Sequence, residues 1–83
     1  MDTYIEKRTV VKAVQVTDKW FSGGQPDLLP DSVKRIDSVA EIVEVVTEIG
    51  HMAIGTGCWI IEYPDSSYIV CDDKTFKMKY RRL

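Results

Sequence analysis

The chain has 83 residues, of which 45% are hydrophobic and 29% are charged, with two cysteines and a formal net charge of −2. This length and composition predict one packed domain over residues 1–83 and exclude a disordered chain. The longest uncharged run, residues 49–61, is too short for a membrane helix, and two cysteines are too few for a secreted disulfide framework, so we expect a cytoplasmic protein.

The first half of the chain predicts a strand followed by a loop. Residues 3–17 form the predicted strand, because their valines are β-branched and no helix breaker interrupts them. Residues 18–37 contain two glycines, four aspartates and two of the three prolines. This composition predicts a loop with a short turn of helix, anchored by Trp20 and Phe21.

Residues 38–50 fit two different structures. As a helix, the segment has a capping box formed by Ser38 and Glu41 and a glycine after its last turn. As a strand, it places valines on one face opposite Glu44 and Glu48, and its many β-branched residues favour this structure. The pattern by itself favours the helix by a narrow margin.

A hairpin is predicted next, because two apolar runs, residues 58–63 and 68–71, flank four turn-forming residues that begin at Pro64. The expected register pairs Tyr63 with Tyr68. One face of this hairpin would contain Trp59, Ile61, Tyr63, Tyr68 and Val70. The other would contain Cys58, Ile60, Glu62, Ile69 and Cys71. Both faces are largely apolar, so one would cover the core and the other would need another element, a loop or a second copy of the protein.

Residues 72–83 predict a C-terminal helix with Asp72 or Asp73 as its N-cap. Its inward face is expected to contain Phe76, Tyr80 and Leu83. The predicted elements give an α+β fold with a small antiparallel sheet of four or five strands and a short C-terminal helix. Curling of this sheet toward a small barrel is an open alternative.

Two stretches of the chain resemble small bacteriophage and prophage proteins. The first is a basic strand, residues 4–15, that ends in Ala-Val-Gln. The second is an ordered set of residues, Gly57-Cys58-Trp59-Ile60-Ile61, Tyr68, Cys71, Phe76 and Tyr80. This set is similar to the Gly-Asp-Trp-Ile-Ile, Tyr-x-x-Cys and Phe-x-x-x-Tyr pattern of those proteins. The departures are Cys58 where the pattern has Asp and Lys12 where it has Glu.

The resemblance implies that residues 39–48 form a strand and that the chain turns at residues 49–51 into a further strand, residues 52–54. We follow this implication in preference to the helix. The resemblance also implies a phage accessory protein, and it supplies no catalytic residue, because no common activity is established for such proteins.

No catalytic, cofactor-binding or metal-binding residues are expected. Cys58, Cys71 and a single His51 in a predicted turn lack the spacing of a structural metal site, and buried thiols that pack as small hydrophobic groups are the simpler interpretation. The predicted register makes the two cysteines diagonal neighbours, too distant for a disulfide. The adjacent acids Asp72 and Asp73 are better explained by helix capping than by acid-base catalysis.

A protein-binding surface is the first functional hypothesis. Eight carboxylates and no Lys or Arg lie between residues 36 and 73. The predicted surface combines three aromatic residues with acids that steer a basic partner, and its members are Trp59, Tyr63, Tyr68, Glu44, Glu48 and Glu62. An aromatic core with a solvated acidic face explains these residues equally well. Self-association through the second hairpin face is also open.

Nucleic-acid binding is the second hypothesis. The last ten residues contain five basic residues and no acid, and these are Lys74, Lys77, Lys79, Arg81 and Arg82. A sequence pI of about 5.3 argues against this role. We therefore predict a non-enzymatic phage or prophage accessory protein that binds a protein partner, with a host protein, including one of host defence, as the hypothesis. A small virion component is a further alternative.

Overall fold

The computed structural model describes residues 1–83 and contains eight strands, one 3₁₀ helix and one α-helix. In chain order these are β1 (Asp2–Glu6), β2 (Thr9–Gln15), the 3₁₀ helix (Asp18–Phe21), β3 (Val33–Asp37), β4 (Ile42–Thr47), β5 (Gly50–Ile54), β6 (Trp59–Glu62), β7 (Tyr68–Cys71), α1 (Asp73–Lys79) and β8 (Arg81–Arg82). All strand pairs are antiparallel.

The strands form two sheets. The five-stranded sheet has the order β7-β6-β2-β1-β8, and the three-stranded sheet has the order β3-β4-β5. A small, mostly antiparallel fold with one short helix is therefore confirmed. The prediction of a single sheet was wrong, and the sheets do not close into a barrel.

The five-stranded sheet is covered on both faces. One face packs against α1 and forms the helix-side core, whose buried residues are Tyr4, Val11, Ala13, Ile61, Phe76 and Tyr80. The opposite face packs against the three-stranded sheet and the 3₁₀ helix to form the inter-sheet core, whose buried residues are Val16, Trp20, Val43, Val45, Ile54 and Ile60. The second apolar face of the predicted hairpin is thus covered by another element of the same chain.

The predicted first strand is two strands joined by a tight turn. Glu6 pairs with Thr9 in this hairpin, which leaves Lys7 and Arg8 as the turn residues. Lys7 has a φ of 54°, so the backbone reverses with an ordinary side chain where glycine or asparagine is usual. The sequence contains no turn-forming residue at this point, and the prediction missed the reversal for that reason.

The predicted loop contains a short helical turn and one further strand. Trp20 in the 3₁₀ helix is only 2% exposed, which confirms it as an anchor. Strand β3 was not predicted, and it begins with a bulge between Val33 and Arg35.

Residues 38–50 form a strand and two turns, so the helix favoured by the pattern was wrong. Strand β4 begins at Ile42 and not at residue 39, because Glu41 has a φ of 55° in the preceding turn. It buries Val43 and Val45 between β3 and β5, where a half-buried strand surface suits β-branched side chains. The chain then turns at Glu48 and Ile49, earlier than the resemblance implied.

The β6–β7 hairpin is confirmed, but its register differs from the prediction by one residue. Glu62 pairs with Tyr68 and Ile61 pairs with Ile69. Ser66 donates its N–H to the carbonyl of Tyr63 (2.9 Å) and has a φ of 68°, which is the pattern of a three-residue loop with a bulge. The predicted four-residue turn was therefore wrong. A shift of one residue moves every side chain of β7 to the other face of the sheet.

The C-terminal helix is shorter than predicted. Asp72 is the N-cap, as expected, and its side chain accepts a hydrogen bond from the N–H of Thr75 (2.7 Å). The helix ends at Lys79, and Arg81 and Arg82 pair with β1. Leu83 is 70% exposed and does not share the inward face of α1. Tyr80 is extended, with φ of −122° and ψ of 143°, and this ends the helix and directs the next two residues to the edge of β1.

Candidate partner-binding surface

The three aromatic residues predicted to share a binding surface lie on two different faces of the five-stranded sheet. Trp59 and Tyr63 pack against the helix-side core, whereas Tyr68 packs against the inter-sheet core. The one-residue register shift causes this separation, because it turns Tyr68 away from the other two rings. The structure therefore does not bring the three rings together.

Trp59, on β6, packs against α1 and forms a hydrogen bond with it. Its ring stacks on Phe76 with centroids 3.8 Å apart and meets Tyr4 edge-on at 5.5 Å. Its Nε1–H donates to Oδ1 of Asp73 (3.0 Å), and Lys77 binds Oδ2 of the same carboxylate (3.0 Å). Both hydrogen bonds lower the pKa of Asp73, and the bond from Trp59 has the larger effect. These contacts give Trp59 a structural role in the folded chain.

Tyr63 connects β1 to the end of α1. Its hydroxyl donates to Oε1 of Glu6 (2.9 Å) and lies 2.6 Å from the hydroxyl of Tyr80. Because the single proton of Tyr63 is used by Glu6, Tyr80 is the donor in the second bond. Burial raises the pKa of Tyr63 well above its ordinary value, and donation of its proton to the Glu6 carboxylate acts in the same direction. Tyr63 is therefore uncharged at physiological pH.

The three acids predicted to steer a partner are also dispersed. Glu44 lies on the outward face of the three-stranded sheet and pairs with Arg35. Glu62 lies on the five-stranded sheet and accepts a hydrogen bond from the hydroxyl of Tyr68 (3.1 Å), whose pKa is raised by burial and then by this carboxylate. Glu48 is exposed in the β4–β5 turn. The structure therefore does not bring the three acids together.

Strand β5 is an edge strand whose outward backbone groups have no partner. It pairs with β4 alone, and none of the backbone hydrogen bonds formed outside the helices and strands involves it. Thr47 pairs with Gly50 across a two-residue turn, so Val45–Met52 and Val43–Ile54 are the next hydrogen-bonded pairs. The N–H and C=O groups of His51 and Ala53 consequently point away from β4, outward from the free edge of the sheet.

The other three edges of the two sheets are protected. Strand β3 has a bulge and contains Lys34, Arg35 and Asp37, and β8 is only two residues long. At the edge of β7, the carbonyl of Tyr68 accepts the N–H of Glu48 (3.3 Å). Strand β5, like β7, contains no formally charged residue, no proline and no register shift, but it forms no backbone hydrogen bond on its outward side. It is the edge best suited to pair with another strand.

The surface beside this edge combines small apolar side chains and His51 with the Arg35–Glu44 ion pair. The outer face of the three-stranded sheet is formed by Arg35, Glu44, Val46, His51 and Ala53. Ile49, in the turn before β5, is 86% exposed. Sequence reasoning missed this surface, although the uncharged run of residues 49–61 contains the whole of β5.

The five basic residues do not form a single helical face. Lys74, Lys77 and Lys79 lie in α1. Arg81 and Arg82 lie in β8, which corrects their predicted place on the helix. Lys77 pairs with Asp73, and Arg82 pairs with Asp2 (3.2 Å) and lies over the ring of Tyr4. Two of the five cations thus have carboxylate partners within the chain.

Cys58 and Cys71 are free thiols that pack on opposite faces of the five-stranded sheet, Cys58 against the inter-sheet core and Cys71 against the helix-side core. Their predicted placement on one face was wrong because of the register shift. Burial raises the pKa of Cys71 to about 11, and the negative charge of Asp72 contributes in the same direction.

His51 lies in β5 and not in a turn. No group of three or more His, Cys, Asp or Glu side chains is placed to hold a metal ion.

Comparisons with protein-family models, curated proteins and solved structures give no match for this chain. None of its helices has the length and apolar character needed to cross a membrane.

Proposed function

We propose that this chain is a non-enzymatic binding protein that accepts an extended segment of a protein partner at the free edge of β5. The observation that supports this most strongly is that β5 is uncharged and has no backbone hydrogen bond on one side, whereas β3 is charged and bulged, β8 has two residues and β7 accepts a hydrogen bond from Glu48. Natural proteins usually block such an edge, because its free N–H and C=O groups pair readily with other chains. Strand addition uses these groups for affinity and the alternating side chains for specificity.

The outer face of the three-stranded sheet supplies the side-chain contacts in this proposal. A segment paired with β5 lies beside His51 and Ala53, and every second side chain of that segment points toward the outer face. Glu44 and Glu48 flank the edge, as their positions on β4 and in the β4–β5 turn require. Glu44 is balanced by Arg35 on the same face, so an uncharged segment is accepted at this edge as readily as a basic one.

The resemblance to small bacteriophage and prophage proteins supplies the biological setting of the proposal. In that setting, the chain is an accessory protein in the bacterial cytoplasm and its partner is a host protein, including one of host defence. The aromatic residues of the earlier hypothesis then serve the fold, and Glu44 and Glu48 serve recognition.

Affinity capture from bacterial lysate with two matched variants tests this proposal. Ala53→Pro removes an outward N–H without removing a bond of the β4–β5 ladder, whereas Ala53→Ser keeps the N–H. We expect the unmodified chain and Ala53→Ser to retain the same partner and Ala53→Pro to lose it. Equal capture by both variants would remove the β5 edge from the proposal.

Nucleic-acid binding is the alternative outcome, and the same material tests it. Binding to DNA or RNA at low salt that weakens as salt rises and is lost on changing Lys74, Lys79 and Arg81 to Ala would favour the basic C-terminal region. The protein-binding proposal expects no such change in partner capture with these substitutions.

A further inference from the structure

We infer that the segment accepted by β5 is β5 of a second copy of this chain, so that two three-stranded sheets join into one continuous sheet about a two-fold axis. This inference rests on the proposed function, because both use the same free edge. A closed two-fold pairing satisfies the edge in both copies at once and leaves no further edge for chain growth.

The backbone of β5 is complementary to itself in one register. An antiparallel pair centred on Met52 places His51 opposite Ala53 of the second copy and overlaps all five residues of the strand. His51 and Ala53 are the residues whose N–H and C=O groups point away from β4. Each of these groups therefore meets a complementary group of the second copy. Registers centred on His51 or Ala53 overlap fewer residues.

The inward side chains of β5 also favour a second copy. Met52 is half-buried against the inter-sheet core and borders a groove of about 100 Å³ between the β4–β5 turn and β7. In the Met52-centred register, Met52 of the second copy lies directly opposite and extends the apolar surface across the axis. The exposed Ile49 comes opposite Gly55 of the second copy, which has no side chain to obstruct it.

Charge does not oppose this pairing. Strand β5 contains no Asp, Glu, Lys or Arg. Glu44 is the cross-strand neighbour of Ala53, and Ala53 is opposite His51 of the second copy. Each Glu44 is therefore aligned with an imidazole of the other copy and not with a carboxylate, so no like charges face each other across the axis.

The mass of the purified chain in solution tests the inference. Size exclusion with light scattering, run over a range of concentrations, should show a mass that rises from 9.5 kDa toward twice that value. Ala53→Ser should behave in the same way, and Ala53→Pro should have the monomer mass throughout, with far-UV circular dichroism showing that it is folded. A monomer at every soluble concentration of the unmodified chain would overturn the inference.

A cross-linking experiment tests the register and does not depend on the proline variant. Residues directly opposite in a non-hydrogen-bonded pair have Cα atoms about 4.5 Å apart, which suits a disulfide. Met52→Cys should therefore give a disulfide-linked dimer under mild oxidation. His51→Cys places the two thiols diagonally, with Cα atoms about 8 Å apart, and should not. The unmodified chain measures any background from Cys58 and Cys71. Equal cross-linking of the two variants, or none in either, would overturn the register.

The two proposals fail separately. If the purified chain is monomeric but partner capture still depends on the N–H of Ala53, then β5 binds a different protein, and the second copy is excluded while the proposed function stands. If the chain forms the Met52-centred dimer but Ala53→Pro captures the same lysate proteins as Ala53→Ser, then this inference stands and the proposed function fails.

Discussion

Replacing Trp59 by alanine separates the two roles considered for this residue. If Trp59 belonged to an exposed binding surface, its removal would weaken partner binding and leave the free energy of unfolding almost unchanged. In the structure the ring stacks on Phe76, contacts Tyr4 edge-on and bonds Asp73. We therefore expect Trp59→Ala to destabilise the fold.

The size of the loss follows from the packing of the ring. Truncation of a buried aromatic side chain to alanine costs about 3 to 5 kcal/mol, and because Trp59 is only half-buried the lower value, about 3 kcal/mol, applies. A domain of this length has a free energy of unfolding of about 4 to 12 kcal/mol. The change therefore removes a large share of the total stability.

Urea denaturation followed by far-UV circular dichroism measures this loss. With a slope of about 1 kcal/mol per molar urea, the midpoint should fall by roughly 3 M. Trp59→Phe is the matched control, because it keeps an aromatic ring for stacking on Phe76 and removes only the Nε1–H donor and part of the contact area. Its midpoint should lie clearly between those of the other two proteins. An unchanged midpoint for Trp59→Ala would refute the packing described for α1.

Two further predictions concern the backbone and pH. Gly57 has a φ of 95°, so Gly57→Ala should lower the free energy of unfolding by about 1 kcal/mol or more. Gly55→Ala should be tolerated, because Gly55 has no positive φ and an added Cβ would lie 3.8 Å from its nearest neighbour, the carbonyl oxygen of Glu41. Equal thermal midpoints of the two variants would contradict this difference. The N–H of Thr75 donates to Asp72 and lowers the pKa of this carboxyl group below its unfolded-state value near 3.8. The ionised N-cap therefore stabilises the fold above pH 3.8, and this stabilisation is lost as the pH falls through the lower folded-state pKa. Asp72→Asn, which keeps a capping side chain without the charge, should therefore show a smaller loss of thermal stability on acidification, and an identical pH profile would count against this assignment.

Several local features were predictable because neighbouring residues in the sequence decide them. Pro64 and the polar residues after it predicted the turn between β6 and β7. Asp72 at the start of α1 and the spacing of Phe76 and Tyr80 predicted the cap and the buried face of this helix. Each of these features depends on residues that lie close together in the sequence.

The sequence alone indicated that alternating apolar residues form strands, that Trp20 anchors the loop and that a capped, lysine-rich helix follows the β6–β7 hairpin. Only the tertiary structure decided how those pieces pair. Residues 42–47 suit a helix or a strand, and their pairing with both β3 and β5 selects the strand. Ser66 in a left-handed conformation fixes the register that places Tyr68 and Trp59 on opposite faces. The free edge of β5 depends on which strands lie beside it, and that choice is made by contacts between residues distant in the sequence.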